Sequence, residues 1–169
     1  MVLTRPTTKT IISTATFGHP VYDWLTKLPV GAWNAFTSTG NQMPSETATQ
    51  SPLANWVALM PANGCSISGT SIRIDTAGVW YLGASCRWAS STAGLVRAMG
   101  VQLNGANLSA GGGLNLASPP ANTSGMGMGL SGATIYRLSA GAMLTIVTRQ
   151  DSTITLTCDG TFILQRISD

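Results

Sequence analysis

The feature that most constrains the fold of this chain is the stretch 70–88, in which two β-like runs meet at Ala77-Gly78. In an extended chain, side chains at every second position lie on one face. From residue 79 onward one of these faces is apolar and consists of Trp80, Leu82, Ala84, Cys86 and Trp88. Because a lone strand is unstable in water, this face requires paired strands beside it and an apolar layer opposite.

The composition favours strands over helices. Charged residues make up 9% of the 169-residue chain, whereas an ordinary globular protein has about 25%, and surface helices are rich in such residues. The length suits one domain with a tail. The net charge of +3 comes without a run of basic residues, and no apolar run is long enough to cross a bilayer. We therefore expect neither nucleic-acid binding nor membrane insertion.

Turn signals divide the chain into about eight or nine short strands. A polar loop is predicted at 40–51, and Asp159-Gly160 predicts a tight hairpin between the last two strands, as Asn104-Gly105 does for an earlier one. The predicted strands and apolar runs are 31–39, 53–60, the two runs of 70–88, 95–103, 133–138, 143–148, 153–158 and 161–167. The turn at 138–141 echoes the one at 74–78. This pattern indicates an all-β jelly-roll sandwich.

The stretch 104–132 is rich in glycine, and two interpretations of it stay open. It is either a long surface loop or a set of thin strands whose backbones approach closely. A phosphate-binding loop is excluded because no Lys-Ser/Thr pair and no helix pattern follow the glycines. Met126 and Met128, which are flanked by glycine, would give a pliant contact surface.

The first 30 residues differ from the rest of the chain. Residues 1–17 are Thr-rich and are predicted to form an extended arm, and a short amphipathic helix is predicted between Pro20 and Pro29. Its apolar stripe consists of Val21, Trp24, Leu25 and Leu28. A helix of about ten residues is unstable alone, so the stripe must dock either on its own domain or on a partner. We predict that residues 1–30 attach the protein and residues 31–169 form the jelly roll.

The reactive side chains argue against catalysis. His19 is the only histidine and precedes the predicted sandwich, so neither a multi-histidine metal site nor a Ser-His-acid triad can be assembled within it. Asp75, Asp151 and Asp159 each fall at or beside a predicted turn, where Asp commonly bonds to the backbone. A glycosidase pair would need two of them at a working separation. We expect a non-enzymatic protein without a cofactor or a metal.

Three cysteines, Cys65, Cys86 and Cys158, are widely spaced. Their odd number prevents complete intrachain disulfide pairing, and their spacing fits no zinc motif. We interpret them as small buried hydrophobes in a reducing compartment. Cys86 and Cys158 are placed on core faces, and Cys65 is placed in a loop.

The last predicted strand is apolar on both faces. Phe162 and Leu164 lie on one face, whereas Ile163 and Ile167 lie on the other. One of these sets has no core to enter, and with so few charges nearby a subunit interface is the economical explanation. Ile163, Ile167 and Tyr81, which lies on the second face of 79–88, are the candidate interface residues.

Several of these patterns resemble a known family. They are Ile72-Arg-Ile-Asp-Thr-Ala-Gly-Val-Trp-Tyr-Leu82, Arg97-Ala-Met-Gly-Val-Gln-Leu-Asn-Gly105, Arg137-Leu-Ser-Ala-Gly-Ala-Met-Leu-Thr-Ile146 and the strand that contains Phe162. They resemble the tumour-necrosis-factor and complement-type jelly roll of bacteriophage virion proteins. The opening at 14–25 looks like the N-terminal segment of small phage tail, fibre or head-decorating proteins. The resemblance implies a homotrimer around a threefold axis.

These expectations give a virion structural protein of a tailed bacteriophage, made in the host cytoplasm. It would decorate the head or neck, or build part of the tail, with other capsid, neck or tail proteins as partners. The alternative is a receptor- or carbohydrate-binding tip of a tail fibre that binds a host surface glycan. For that function tryptophan and tyrosine side chains would stack on sugars, although burial is their commoner fate.

Overall fold

The computed structural model describes residues 33–108, 114–119 and 127–169. Within these residues the chain forms twelve strands, which pair antiparallel. They are β1 Asn34–Met43, β2 Glu46–Pro52, β3 Trp56–Ala58, β4 Cys65–Ser68, β5 Ser71–Ile74, β6 Gly78–Trp88, β7 Arg97–Leu103, β8 Ala106–Asn107, β9 Leu116–Ser118, β10 Met128–Leu138, β11 Met143–Gln150 and β12 Leu156–Ser168.

The strands form two sheets that enclose one core. The five-stranded sheet has the order β10-β6-β12-β1-β3, and the seven-stranded sheet has the order β4-β5-β11-β7-β8, with β2 paired to β11 and β9 paired to β7. Strands that are neighbours in sequence often belong to different sheets, as in a jelly roll. The predicted all-β sandwich is confirmed for the described residues.

The apolar face predicted for 79–88 lies at the centre of the core. Trp80 and Leu82 are fully buried, and Trp88 is almost so. Strand β6 is an interior strand of its sheet, because β10 pairs with one side of it and β12 with the other. Ile72 and Leu144 of the seven-stranded sheet belong to the same buried cluster, and each fully buried aliphatic side chain contributes about 1.5–3 kcal/mol.

The two similar turns lie side by side. The connection from β5 to β6 and the connection from β10 to β11 both pass between the sheets. They are joined by hydrogen bonds from the Gly141 amide to the Ile74 carbonyl at 2.7 Å and from the Ile74 amide to the Ala142 carbonyl at 2.8 Å. At Gly78 a Cβ atom would overlap the Ser168 carbonyl oxygen, so glycine is required where the chain turns into β6.

The predicted hairpin at Asp159-Gly160 is wrong. Strand β12 runs without a turn from Leu156 to Ser168 and pairs with both β6 and β1. Gly160 faces the core, where a Cβ atom would overlap the Leu53 side chain. The glycine therefore serves close packing within a strand rather than a turn.

The polar loop predicted at 40–51 is also wrong. Strand β1 continues to Met43 past a bulge between Ser38 and Asn41, where Gly40 has a φ of 71°. Strand β2 then pairs with β11. A polar sequence can occupy such an edge position because the pairing uses backbone groups.

Three further expectations are refined. The run 53–60 contains only the short strand β3, preceded by Asn55 with a φ of 57°. The glycine-rich stretch contains β8, β9 and the start of β10, so thin strands are the correct interpretation for its described part. Cys65 begins β4 and is 3% exposed, so its assignment to a loop is wrong.

The chain separates into two units, Met1–Val30 and Gly31–Asp169. The predicted arm and helix, with Val21, Trp24, Leu25 and Leu28, lie outside the described residues, and their attachment role stays a prediction. Within the described ranges, no helix has the length and apolar character needed to cross a membrane.

Candidate interaction surface

The outer face of the five-stranded sheet, the side turned away from the core, carries five rows of side chains across the strands. Strand register places the members of each row next to one another. In order along β6, the rows are Arg137-Val79-Ser168, Ile135-Tyr81-Gln165, Ala133-Gly83-Ile163-Ala35, Ser131-Ser85-Thr161-Thr37 and Gly129-Arg87-Asp159. The three middle rows contain no charged side chain.

Two isoleucines project from these middle rows. Ile135 is 61% exposed and Ile163 is 41% exposed. Beside them, the Tyr81 and Trp33 rings pack edge to face, with centroids 5.7 Å apart and an interplanar angle of 79°. Trp33 itself remains 47% exposed. Large apolar side chains grouped on an uncharged sheet face are typical of a surface that another protein covers.

A furrow runs along β6 between these side chains. Its first part has a volume of about 420 Å³ and is lined by Tyr81, Ser131 and Ile163, among others. The Tyr81 ring lies over Gly83, where a Cβ atom would come within 3.3 Å of Tyr81 Cε1. A second part of about 530 Å³ continues over Ser85 to the charged row. The small residues on its floor leave room for side chains of another protein.

The structure brings together two of the three candidate interface residues. Tyr81 and Ile163 lie on the outer face in adjacent rows. Ile167 is half-buried at a bulge between Arg166 and Ser168, where it has no register partner. The sequence interpretation missed Ile135. The alternation of 133–137 would have placed Ile135 on the face of the strand opposite the buried Leu138. It would not have placed Ile135 beside Tyr81, because that position depends on the pairing of β10 with β6.

The three aspartates singled out in the sequence lie in different parts of the fold. Asp75 lies 3.5 Å from the Arg73 guanidinium at the surface. Asp151 accepts hydrogen bonds from the Leu95 and Val96 amides, and Asp159 lies within β12. Among the described residues, no cluster of His, Cys, Asp and Glu side chains has the arrangement of a metal site.

The comparisons with known proteins concern the fold. No protein-family model matches this chain, and no curated protein shows significant similarity to it. Among solved structures, Eiger TNF from S. frugiperda has a TM-score of 0.55 at 13% identity, with 80% of this chain and 92% of that chain covered. Murine APRIL has a TM-score of 0.50 at 13% identity, with 78% and 98% covered. The described residues therefore have a tumour-necrosis-factor-type jelly-roll fold.

Proposed function

We propose that this protein is a non-enzymatic structural subunit that assembles as a homotrimer through the outer face of its five-stranded sheet. The observation that carries the proposal is the group of three uncharged rows from which Ile135 and Ile163 project. The exposed apolar side chains of this uncharged face are stabilised when the surface of another protein covers them. The low charged fraction of 9% leaves few other means of keeping it in solution.

A second copy of the chain is the favoured partner. The sequence patterns resemble those of trimeric jelly-roll proteins, and a jelly-roll fold of that type supports the same assembly. In a cyclic assembly one face can be covered in every subunit by the same contact, which closes the ring without leaving a free surface.

The specific role that we propose is that of a bacteriophage virion protein, made in the host cytoplasm. It would decorate the head or neck or form part of the tail, with residues 1–30 bound to another virion protein. The support is the resemblance of the N-terminal segment and of the strand patterns to phage structural proteins, together with a single histidine that precedes the sandwich.

The trimer can be tested by light scattering at micromolar protein, where we expect three times the mass of one chain. Ile163→Asp should lower the mass toward that of a monomer, because assembly would bury an unpaired carboxylate in every subunit. Ile67→Asp is a matched control, since Ile67 is also 41% exposed but lies on the other sheet. A wild-type monomer, or equal effects of both substitutions, would contradict the proposal.

A second candidate function is recognition of a host glycan. Its supporting observation is a group of amide side chains on the seven-stranded sheet, where Gln102 donates to Gln50 and Asn107 at 3.4 Å. Asn115 and Gln50 lie over Gly100, and amides are suitable donors and acceptors for sugar hydroxyls. A glycan screen tests it. Saturable binding that Gln102→Ala removes would support this function, and no binding would leave only the structural role.

A further inference from the structure

The charged row at one end of the outer face has an unusual geometry. Arg87 and Asp159 are direct partners in the register of β6 and β12, and both are exposed. Cross-strand neighbours of opposite charge commonly pair. Here they do not: in the described part of the chain, no carboxylate lies within ion-pair distance of Arg87.

The two side chains point toward opposite edges of the sheet. The Arg87 guanidinium lies beside Gly127, its Nε 3.2 Å from the position that a Cβ atom would occupy there, next to the edge strand β10. The Asp159 carboxylate accepts a hydrogen bond from the Gly40 amide at 2.8 Å, on the side of β1. The row is therefore positive toward one edge of the sheet and negative toward the other.

This polarity suits a ring of identical subunits. In a cyclic assembly, one lateral edge of each subunit meets the opposite edge of the next. If the axis runs along the strands, rows at equal height meet, so the positive end of one charged row faces the negative end of another. An axis across the strands would instead place the charged row against the uncharged rows, and it would bury charges without partners.

We infer that Arg87 of each subunit pairs with Asp159 of the neighbouring subunit, so that six alternating charges close one end of the trimer interface. This inference rests on the proposed homotrimer and adds its direction and register. The uncharged rows, with Ile135 and Ile163, supply most of the association free energy, whereas the ion pairs at the rim fix which edges meet. The same charges disfavour a subunit that enters the ring in the wrong orientation.

The test uses charge reversal in the full-length chain. The trimer mass is measured at low salt, together with the protein concentration at which half of the trimer has dissociated. Arg87→Glu and Asp159→Lys each place like charges at all three contacts, and we expect either to raise that protein concentration about tenfold or more. Asp159→Asn is the second variant, since it keeps an oxygen for the Gly40 amide. Arg73→Glu, on the other sheet, is the matched control. At an ionic strength of ~1 M, where screening acts over about 3 Å, the differences should shrink.

Mixing the two reversed variants distinguishes a contact between subunits from one within a chain. A subunit carrying Arg87→Glu beside a subunit carrying Asp159→Lys restores attraction at the contact that they share. Native mass spectrometry should therefore find more mixed trimers than random exchange of subunits would give. Two results would overturn the inference. One is that both reversed variants form weaker trimers but do not complement each other, and the other is that Arg87→Glu behaves like Arg73→Glu. In both cases the homotrimer itself would stand. A monomeric wild-type protein would overturn the trimer and the inference together.

Discussion

At the scale of single residues, the three cysteines show how burial decides reactivity. Burial, with a smaller effect from the nearby Asp75 charge, raises the pKa of the Cys65 thiol to about 12. Burial also raises the pKa of Cys86, and its contact with Cys158 adds to the effect. Because only the thiolate attacks electrophiles, these residues behave as small core side chains.

We therefore predict that none of the three thiols reacts quickly with an aromatic disulfide reagent at pH 8 in the native protein. All three should react at once in concentrated guanidinium. Cys65→Ser should cost about 1–3 kcal/mol, as Cys86→Ser and Cys158→Ser should, because each buries a hydroxyl without an assured partner. Unfolding in denaturant measures these costs. A thiol that reacts rapidly before unfolding would place that cysteine at the surface.

A second residue-scale feature is the ion pair between Arg97 and Asp151, at 3.6 Å. Arg97 is 1% exposed and donates to the carbonyls of Ala93 and Val96. Desolvation raises the pKa of Asp151, but hydrogen bonds from the Val96 and Leu95 amides and the Arg97 charge outweigh it, and the net result is a lowered pKa. The pair holds the loop between β6 and β7 against the end of β11.

A carboxyl whose pKa is lowered by folding stabilises the native state above its unfolded pKa of about 3.9, and this stability is lost as the pH falls through the native pKa. We predict that Asp151→Ala costs about 3–5 kcal/mol near neutral pH, because the buried Arg97 charge loses its carboxylate partner and keeps only its hydrogen bonds to carbonyl groups. The variant should also lose less stability than the wild type on acidification. Asp75→Ala is the control, since its exposed pair with Arg73 is worth about 0–1 kcal/mol. Equal costs would contradict this account.

At the scale of secondary-structure elements, β12 shows where local sequence signals fail. Asp159-Gly160 has the chemistry of a tight turn, but the pairing of β12 with β6 and β1 makes it the middle of a long strand. The sequence alone does not reveal that Leu53 and Trp56 approach this glycine. By contrast, Asn104-Gly105 forms its predicted turn, with φ values of 52° and 82°, since nothing packs on Gly105.

We predict that Gly160→Ala destabilises the protein by about 1–3 kcal/mol through overpacking against Leu53. Gly129→Ala is the matched control within a strand, because its Cβ atom would meet only the Cys86 carbonyl oxygen, at 3.6 Å. Leu53→Ala should create room and reduce the cost of Gly160→Ala, which a double-mutant cycle measures as coupling. Additive effects would mean that Gly160 does not contact Leu53.

At the scale of the whole molecule, the fold class was predictable because the low charge and the period-two pattern at 79–88 require a two-layer β structure. Strand order was not predictable, since it depends on contacts between residues far apart in sequence, such as Gly83 beside both Ala133 and Ile163. The candidate surface was only partly predictable, because its composition also depends on strand order. Tyr81 and Ile163 could be assigned to outward faces, but only the sheet order places Ile135 next to them.

The division of the chain into Met1–Val30 and Gly31–Asp169 leads to a prediction about attachment. The predicted helix at 20–29 is too short to be stable unless it docks. Covering its stripe, which includes Trp24 and Leu25, is worth several kcal/mol at about 25 cal/mol per Å² before ordering costs. In a trimer three such segments bind together, and their high effective concentration turns modest contacts into firm attachment.

We predict that a chain beginning at Gly31 stays folded and trimeric, with almost the same melting temperature, but fails to enter virus particles. The described strands from Asn34 onward enclose a large buried cluster of their own, which includes Phe36, Trp80 and Leu164. Trp24→Ala combined with Leu25→Ala in the full chain should weaken incorporation in the same way while leaving the trimer mass unchanged. Calorimetry, light scattering and the protein content of purified particles measure these effects. Unfolding or dissociation of the shortened chain would mean that the helix packs on its own domain, and the attachment surface would then have to lie elsewhere.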